Sequence, residues 1–132
     1  MVETMWAVVV DESKGLYELD NIPFYVPSIS SGDIFFAEYD DMESILTYRS
    51  TVEYSGNSTV RIITLNDEID LNNIVSNFMD MGCIIEKLSD RYLAMEIPRS
   101  TNYKSIQLKL KELEDDEILS FEESCLSSIH QY

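Results

Sequence analysis

Histidine occurs once in these 132 residues, cysteine twice, proline three times, glycine four times, and lysine and arginine together nine times. Each scarcity excludes something. One histidine and two distant cysteines cannot supply the paired thiols or imidazoles of a metal-ligand motif. Two cysteines also make no disulfide framework, so Cys83 and Cys125 are expected to be reduced. Isolated glycines do not build a loop that cradles phosphate. Nine basic side chains without a stripe give nucleic acid nothing to grip. No apolar run approaches the ~20 residues of a membrane span. Met1-Val2-Glu3-Thr4-Met5-Trp6 lacks the basic start of a signal peptide. These absences lead us to expect a cytoplasmic protein without metal or cofactor that is not an enzyme.

What the chain has in excess is carboxylate. Twenty-five acidic residues give a formal net charge of −16, where a magnitude of about 2–8 suffices to keep a small domain in solution. The excess runs through both halves: residues 1–57 hold 11 acidic and 2 basic side chains, and residues 58–132 hold 14 and 7. Such a field repels nucleic acid and anionic lipid and draws basic surfaces. With 45% of residues hydrophobic, a packed interior is available.

Ser55-Gly56-Asn57-Ser58-Thr59-Val60-Arg61-Ile62-Ile63-Thr64-Leu65 divides the chain. Before it, short strands alternate with turns: 5–10 and 16–19 form a hairpin around Asp11-Glu12-Ser13-Lys14-Gly15, 28–33 is a loop, and 34–39 and 45–54 are two more strands. Their spacing points to a small antiparallel β-barrel or rolled sheet over residues 1–57. After it, the order is strand 59–65, helix, strand 84–88, strand 92–97, helix, strand 118–125. Asp70 is placed to cap the first helix, with Leu71, Ile74, Val75 and Phe78 on one face and Gly82 as its left-handed terminator. Tyr103, Ile106, Leu110 and Leu113 trace the second helix, capped by Ser100, Thr101 or Asn102. The order β-α-β-β-α-β is a ferredoxin-like split βαβ arrangement over 58–132, and the whole is expected to be α+β and packed as one unit. In that arrangement Cys83 and Cys125 lie on opposite edges, beyond bridging distance.

Few residues offer chemistry. Asp20-Asn21-Ile22-Pro23-Phe24 reads as a structural turn before it reads as a ligand pocket. Arg61 is expected to pair with Asp33 or Glu53. Ser55, Ser58 and Thr59 have no base nearby in sequence, and His130 sits in a tail expected to fray. The acidic clusters say more. Glu112, Glu114, Asp115, Asp116 and Glu117 crowd the negative end of a helix dipole, which costs about 0.3–1 kcal/mol per carboxylate. Glu122 and Glu123 follow, and Asp40, Asp41 and Glu43 form a second cluster between two strands. A basic partner would offset that cost. Tyr25, Tyr39, Tyr48, Tyr54, Tyr92 and Tyr132 suit such an interface if they are exposed.

Trp6, Asp20-Asn21-Ile22-Pro23-Phe24, Gly32-Asp33 and Ser55-Gly56-Asn57-Ser58-Thr59-Val60-Arg61 together resemble the pattern of an uncharacterised family of small bacterial proteins, a domain-of-unknown-function family. The resemblance covers about residues 5–65. It departs at Asn57, where the pattern often has histidine. Some members look like immunity proteins of contact-dependent or other polymorphic toxin systems. The resemblance and the charge together lead us to expect an immunity protein that occludes a basic toxin domain, a nuclease being the expected class. The alternative is a small-ligand sensor or housekeeping module with Trp6, Asn21, Phe24 and Arg61 around a pocket at the joint between the two halves.

Overall fold

In a computed structural model, which describes residues 3–132, the hairpin at the start is present. Met1 and Val2, the first residues of the segment read for a leader, lie outside the described residues. Strands β1 (Ala7–Asp11) and β2 (Leu16–Leu19) pair antiparallel. Between them Asp11 accepts the Lys14 N–H at 3.3 Å and closes a 3-10 turn. Strands β3 (Ile34–Asp40) and β4 (Ile45–Glu53) continue the sheet in the order β1-β2-β3-β4. The sheet stays open, so the barrel form of the expectation is corrected. Closure requires the first and last strands to pair with a matching stagger, and here β1 pairs with β2 and β4 with β3. Its buried interior is correspondingly small: Tyr17, Leu19, Phe35 and Ala37, with Ile29 from the following loop.

The second sheet holds β5 (Ser58–Thr64), β6 (Ile84–Lys87), β7 (Tyr92–Ile97) and β8 (Leu119–Cys125) in the antiparallel order β6-β7-β5-β8. Helices α1 (Leu71–Asp80) and α2 (Tyr103–Asp115) supply the rest of a mixed α+β fold. Alternation along β5 and β7 sends Val60, Ile62, Leu93, Met95 and Ile97 to one face. There they meet Leu71, Ile74 and Phe78 of α1 and Tyr103, Ile106 and Leu110 of α2. Most of the buried apolar area is in this cluster, where truncating a large side chain to alanine costs about 2–5 kcal/mol. Cys83 and Cys125 are both free thiols. They sit at β6 and β8, the opposite edges of this sheet.

Both helices begin and end by local rules. Asp70 accepts the Asn72 N–H at 3.1 Å and Asn102 accepts the Lys104 N–H at 2.9 Å. Each helix closes with the same pair of crossed bonds: Gly82 N–H to Met79 O and Cys83 N–H to Phe78 O in α1, Glu117 N–H to Glu114 O and Ile118 N–H to Leu113 O in α2. The residue between the bonds is left-handed in both cases. In α1 it is Gly82 at φ 100°, and in α2 it is Glu117 at φ 61°.

A side chain in that conformation costs about 1–2 kcal/mol, and Glu117 carries it beside four other carboxylates. Glu117→Gly is therefore expected to raise stability by about 1 kcal/mol after allowing for glycine's larger unfolded-state freedom. The check is the urea midpoint with unchanged m. A midpoint at or below that of the parent would contradict the strain.

Candidate functional site

The outer face of the second sheet is polar yet buried. Thr59, Arg61, Ala94 and Glu96 alternate with the core residues and none is exposed. The segment 20–33, which runs from β2 to β3 of the first sheet, lies against them. Its backbone is held from two sides. Glu3 accepts three consecutive N–H groups, from Phe24 at 2.7 Å, Tyr25 at 3.0 Å and Val26 at 2.9 Å. The Arg61 guanidinium donates to the Tyr25 and Val26 carbonyls and to Ser124 Oγ. Arg61 thus does not pair with Asp33 or Glu53. Asp33 is employed elsewhere, since it accepts from Ser30 N–H, Ser55 N–H and Ser55 Oγ. Tyr92 adds a bond to the Phe24 carbonyl and packs its ring against Phe24 and Tyr25.

The dividing stretch ties the same segment from its other end. Asn57 donates to Ser31 O at 2.9 Å and accepts the Arg99 N–H at 2.9 Å. Ser30 Oγ and Thr59 Oγ1 lie 2.7 Å apart. Asn57 is therefore part of the joint's structure. Beside it Glu96, only 7% exposed, has Oε1 without a partner. Burial pushes its carboxyl above the ordinary glutamate value. A hydrogen bond from Ser31 opposes the rise, and Asp33 and Glu86 add to it.

His130 does not fray. It is 4% exposed, and its Nδ1 lies 2.6 Å from Ser58 Oγ while Nε2 lies 3.1 Å from the Thr101 carbonyl. The carbonyl can only accept, so Nε2 carries the proton and Nδ1 receives the Ser58 hydroxyl. A serine donating to a histidine resembles an activated nucleophile. Ser58, however, is fully buried and also accepts the Ser127 N–H at 2.8 Å, so no substrate carbonyl can reach it. The pair is a clamp that fastens the C-terminal segment to β5. Sequence distance, 72 residues, hid it.

The acidic residues divide by employment. Asp40 accepts the Met42 and Glu43 N–H groups and closes the β3–β4 turn. Glu123 accepts both the Tyr103 and the Tyr132 hydroxyl at 2.6 Å. Glu114 faces Lys111 at 3.5 Å, as does Asp115. Glu112, Asp116, Glu117 and Glu122 are exposed, as are Asp41 and Glu43. The two clusters lie apart in the chain, the larger one at the C-terminal end of α2 and the smaller at the β3–β4 turn. Tyr25, Tyr39, Tyr48, Tyr54 and Tyr132 are exposed, and Tyr92 is half-buried.

A cavity of about 540 Å³ does open at the joint, lined by Tyr54, Asn57, Arg99, Cys125 and Ser127 among others. Trp6, Asn21, Phe24 and Arg61 do not line it. The Trp6 side chain stands in solvent, and its backbone N–H donates to Asn21 Oδ1 at 2.6 Å. No three His, Cys, Asp or Glu side chains gather as a metal site among the described residues. No helix among them is long and apolar enough to cross a membrane.

The model of a family described as Domain of unknown function (DUF4265) matches residues 3–121. A crystal structure of a hypothetical protein from Neisseria gonorrhoeae superposes with a TM-score of 0.80 at 23% identity, covering 95% of this chain and 84% of that one. That likeness is one of fold. No curated protein matches the chain.

Two outcomes are expected from the buried polar groups. The folded protein holds the Glu96 proton more tightly than the unfolded chain, so this group's contribution to stability falls as pH rises above the ordinary glutamate range. Glu96→Gln should flatten that fall and be the more stable protein at pH 7. Urea midpoints across a pH series check this, and an unchanged slope would rule Glu96 out as its source. Ser58→Ala leaves His130 Nδ1 and the Ser127 N–H unpaired, which is expected to cost about 1–3 kcal/mol. It should also speed amide exchange across 126–132, and unchanged exchange there would mean that the pair does not act as a clamp.

Proposed function

The chain belongs to the DUF4265 family of unknown function, so its role is read from its own surface, and we propose that it is an immunity protein that binds and neutralises a basic toxin domain. The reading is carried by one observation. Four exposed carboxylates, Glu112, Asp115, Asp116 and Glu117, crowd the negative end of α2, with Glu114 half-buried among them and Lys111 bridging Glu114 and Asp115. One of them, Glu117, sits in the strained left-handed position. Charge held against the helix dipole and against its neighbours is relieved by lysine and arginine from outside. Glu122 extends this surface, while Asp41 and Glu43 offer a second one at the β3–β4 turn.

The partner is a nuclease by this reading, because an enzyme that grips phosphate presents the basic groove such a surface fits. Carboxylates seated in that groove compete with substrate, so binding alone neutralises the toxin and the chain needs no catalytic group. Long-range attraction steers the encounter, at up to about 10⁸–10⁹ M⁻¹s⁻¹ on general grounds. We place the complex in the cytoplasm, where Cys83 and Cys125 stay reduced. The scaffold is then a ferredoxin-like split βαβ unit over 58–132, a reading supported by the strand order β6-β7-β5-β8 and the shared helix face. A separate sheet unit over 1–57 packs against it. The joint cavity supports the other reading, a small-ligand module, with Arg99 rather than Arg61 as its cation.

The product of the neighbouring gene is the first partner to try. Raising salt from about 50 to 500 mM should slow association at least tenfold, and reversing Glu112, Asp115, Asp116 and Glu117 to lysine should abolish protection of cells producing the toxin. Protection that survives the reversal would end this reading. A ligand captured in the joint cavity and lost in Arg99→Ala would replace it with the second one.

A further inference from the structure

Four strands end their sheets, and three of them are charged: β4 by Arg49 and Glu53, β6 by Glu86 and Lys87, β8 by Glu122 and Glu123. Charge on an edge is how a sheet avoids pairing with another chain. Register shifts in the β3–β4 ladder disrupt the β4 edge further. Edge strand β1 has its one charge at its last residue, Asp11, past the register shift, and none before it. From Trp6 to Val10 it reads Trp-Ala-Val-Val-Val, without a charge in a chain of net −16. Its apolar side chains stand in water on both sides of the sheet, with Trp6 79%, Val8 51% and Val9 57% exposed.

We propose that β1 pairs antiparallel with β1 of a second copy of this chain, across a two-fold axis at Val8, to give a continuous eight-stranded sheet. The backbone is set for it. Trp6 O accepts the Asp20 N–H at 2.8 Å, and the register runs Ala7↔Leu19, Val8↔Glu18, Val9↔Tyr17. Residues 6 and 8 therefore turn their amide groups toward β2, and Ala7 and Val9 turn theirs outward. Ala7 opposite Val9 of the second copy, and the reverse, makes about four N–H···O bonds. The same register lays the exposed Trp6 ring beside Val10 of the other copy and Val8 beside its twin.

Charge selects this occupant. A basic partner is drawn to carboxylates, and residues 6–10 have none to offer. A second copy brings no charge to the contact. The nearest acidic residue in the paired row, Glu18 on β2, would lie three strand spacings from its twin, about 14 Å. That exceeds the screening length of about 8 Å at physiological salt. The register shift between Val9 and Asp11 ends the pairing and β4 is unsuited to receive β1, so the contact closes as a dimer and does not grow into a fibre.

Sedimentation of the full chain over a micromolar concentration series is the test. The expected result is a species of twice the chain mass. Val9→Pro removes an outward N–H and leaves the β1–β2 bonds in place, and Val8→Glu sets like charges face to face on the axis. Each should give a monomer with unchanged thermal unfolding and circular dichroism. Val8→Cys should cross-link on mild oxidation, since twinned residues in a non-hydrogen-bonded pair sit about 4.5 Å apart at Cα, and Ala7→Cys should not. A monomer at every concentration, a dimer that survives both Val9→Pro and Val8→Glu, or a different protein found on β1 of a monomeric chain would each overturn the proposal.

Discussion

The two sheets are joined through a stretch of backbone that makes no regular structure of its own. Residues 24–26 point three N–H groups at the Glu3 carboxylate and two carbonyls at the Arg61 guanidinium. These residues are half-buried or exposed, and a loop crossing the face of a sheet has no ladder to supply partners for its peptide groups. Two charged side chains from opposite ends of the first 61 residues supply them. Everything else at the joint follows from this. With segment 20–33 in place, Ile29 can fill the small interior of the first sheet, and Thr59, Ala94 and Glu96 are sealed from water. Ser30, Ser31 and Asp33 then come within reach of Thr59, Asn57 and Ser55.

The distribution of charge follows the same division of labour. Carboxylates that hold backbone, such as Glu3, Asp33 and Asp40, are spent. Those at the end of α2 remain largely available, and their repulsion is stored at a helix terminus where a partner can relieve it. Residues 6–10 carry no charge at all. A protein with this much negative surface repels its own copies over much of that surface, and along residues 6–10 contact between copies brings no carboxylates face to face. Acidic and neutral surfaces therefore suit different occupants, and one chain can meet both.

Local signals were legible where local physics decides. Asp70 and Gly82 bracket α1 as expected because caps depend on a few adjacent residues, and strand-length apolar or alternating runs between turn residues locate the strands to within two residues. The two acidic clusters were visible as runs of side chains, but their employment was not. Asp40 and Glu123 differ from Asp116 only in which distant or neighbouring donors reach them. Arg61 takes another kind of partner than expected because a guanidinium is expected to seek carboxylate, and the competing demand comes from carbonyls 36 and 35 residues away. His130 departs from expectation for a similar reason: a terminal segment with only a short 3-10 turn of its own is held by Ser58.

By itself the amino-acid order determined the helices, the strands, the apolar faces and the surplus of negative charge, since each depends on periodicity, capping or counting. Only the folded chain decided that the first sheet stays open, that Glu3 and Arg61 share one stretch of backbone, that His130 is buried, and that Trp6 and three valines face water. Those are outcomes of which groups meet across tens of residues, where the need to satisfy buried polar groups overrides what any neighbour in sequence prefers.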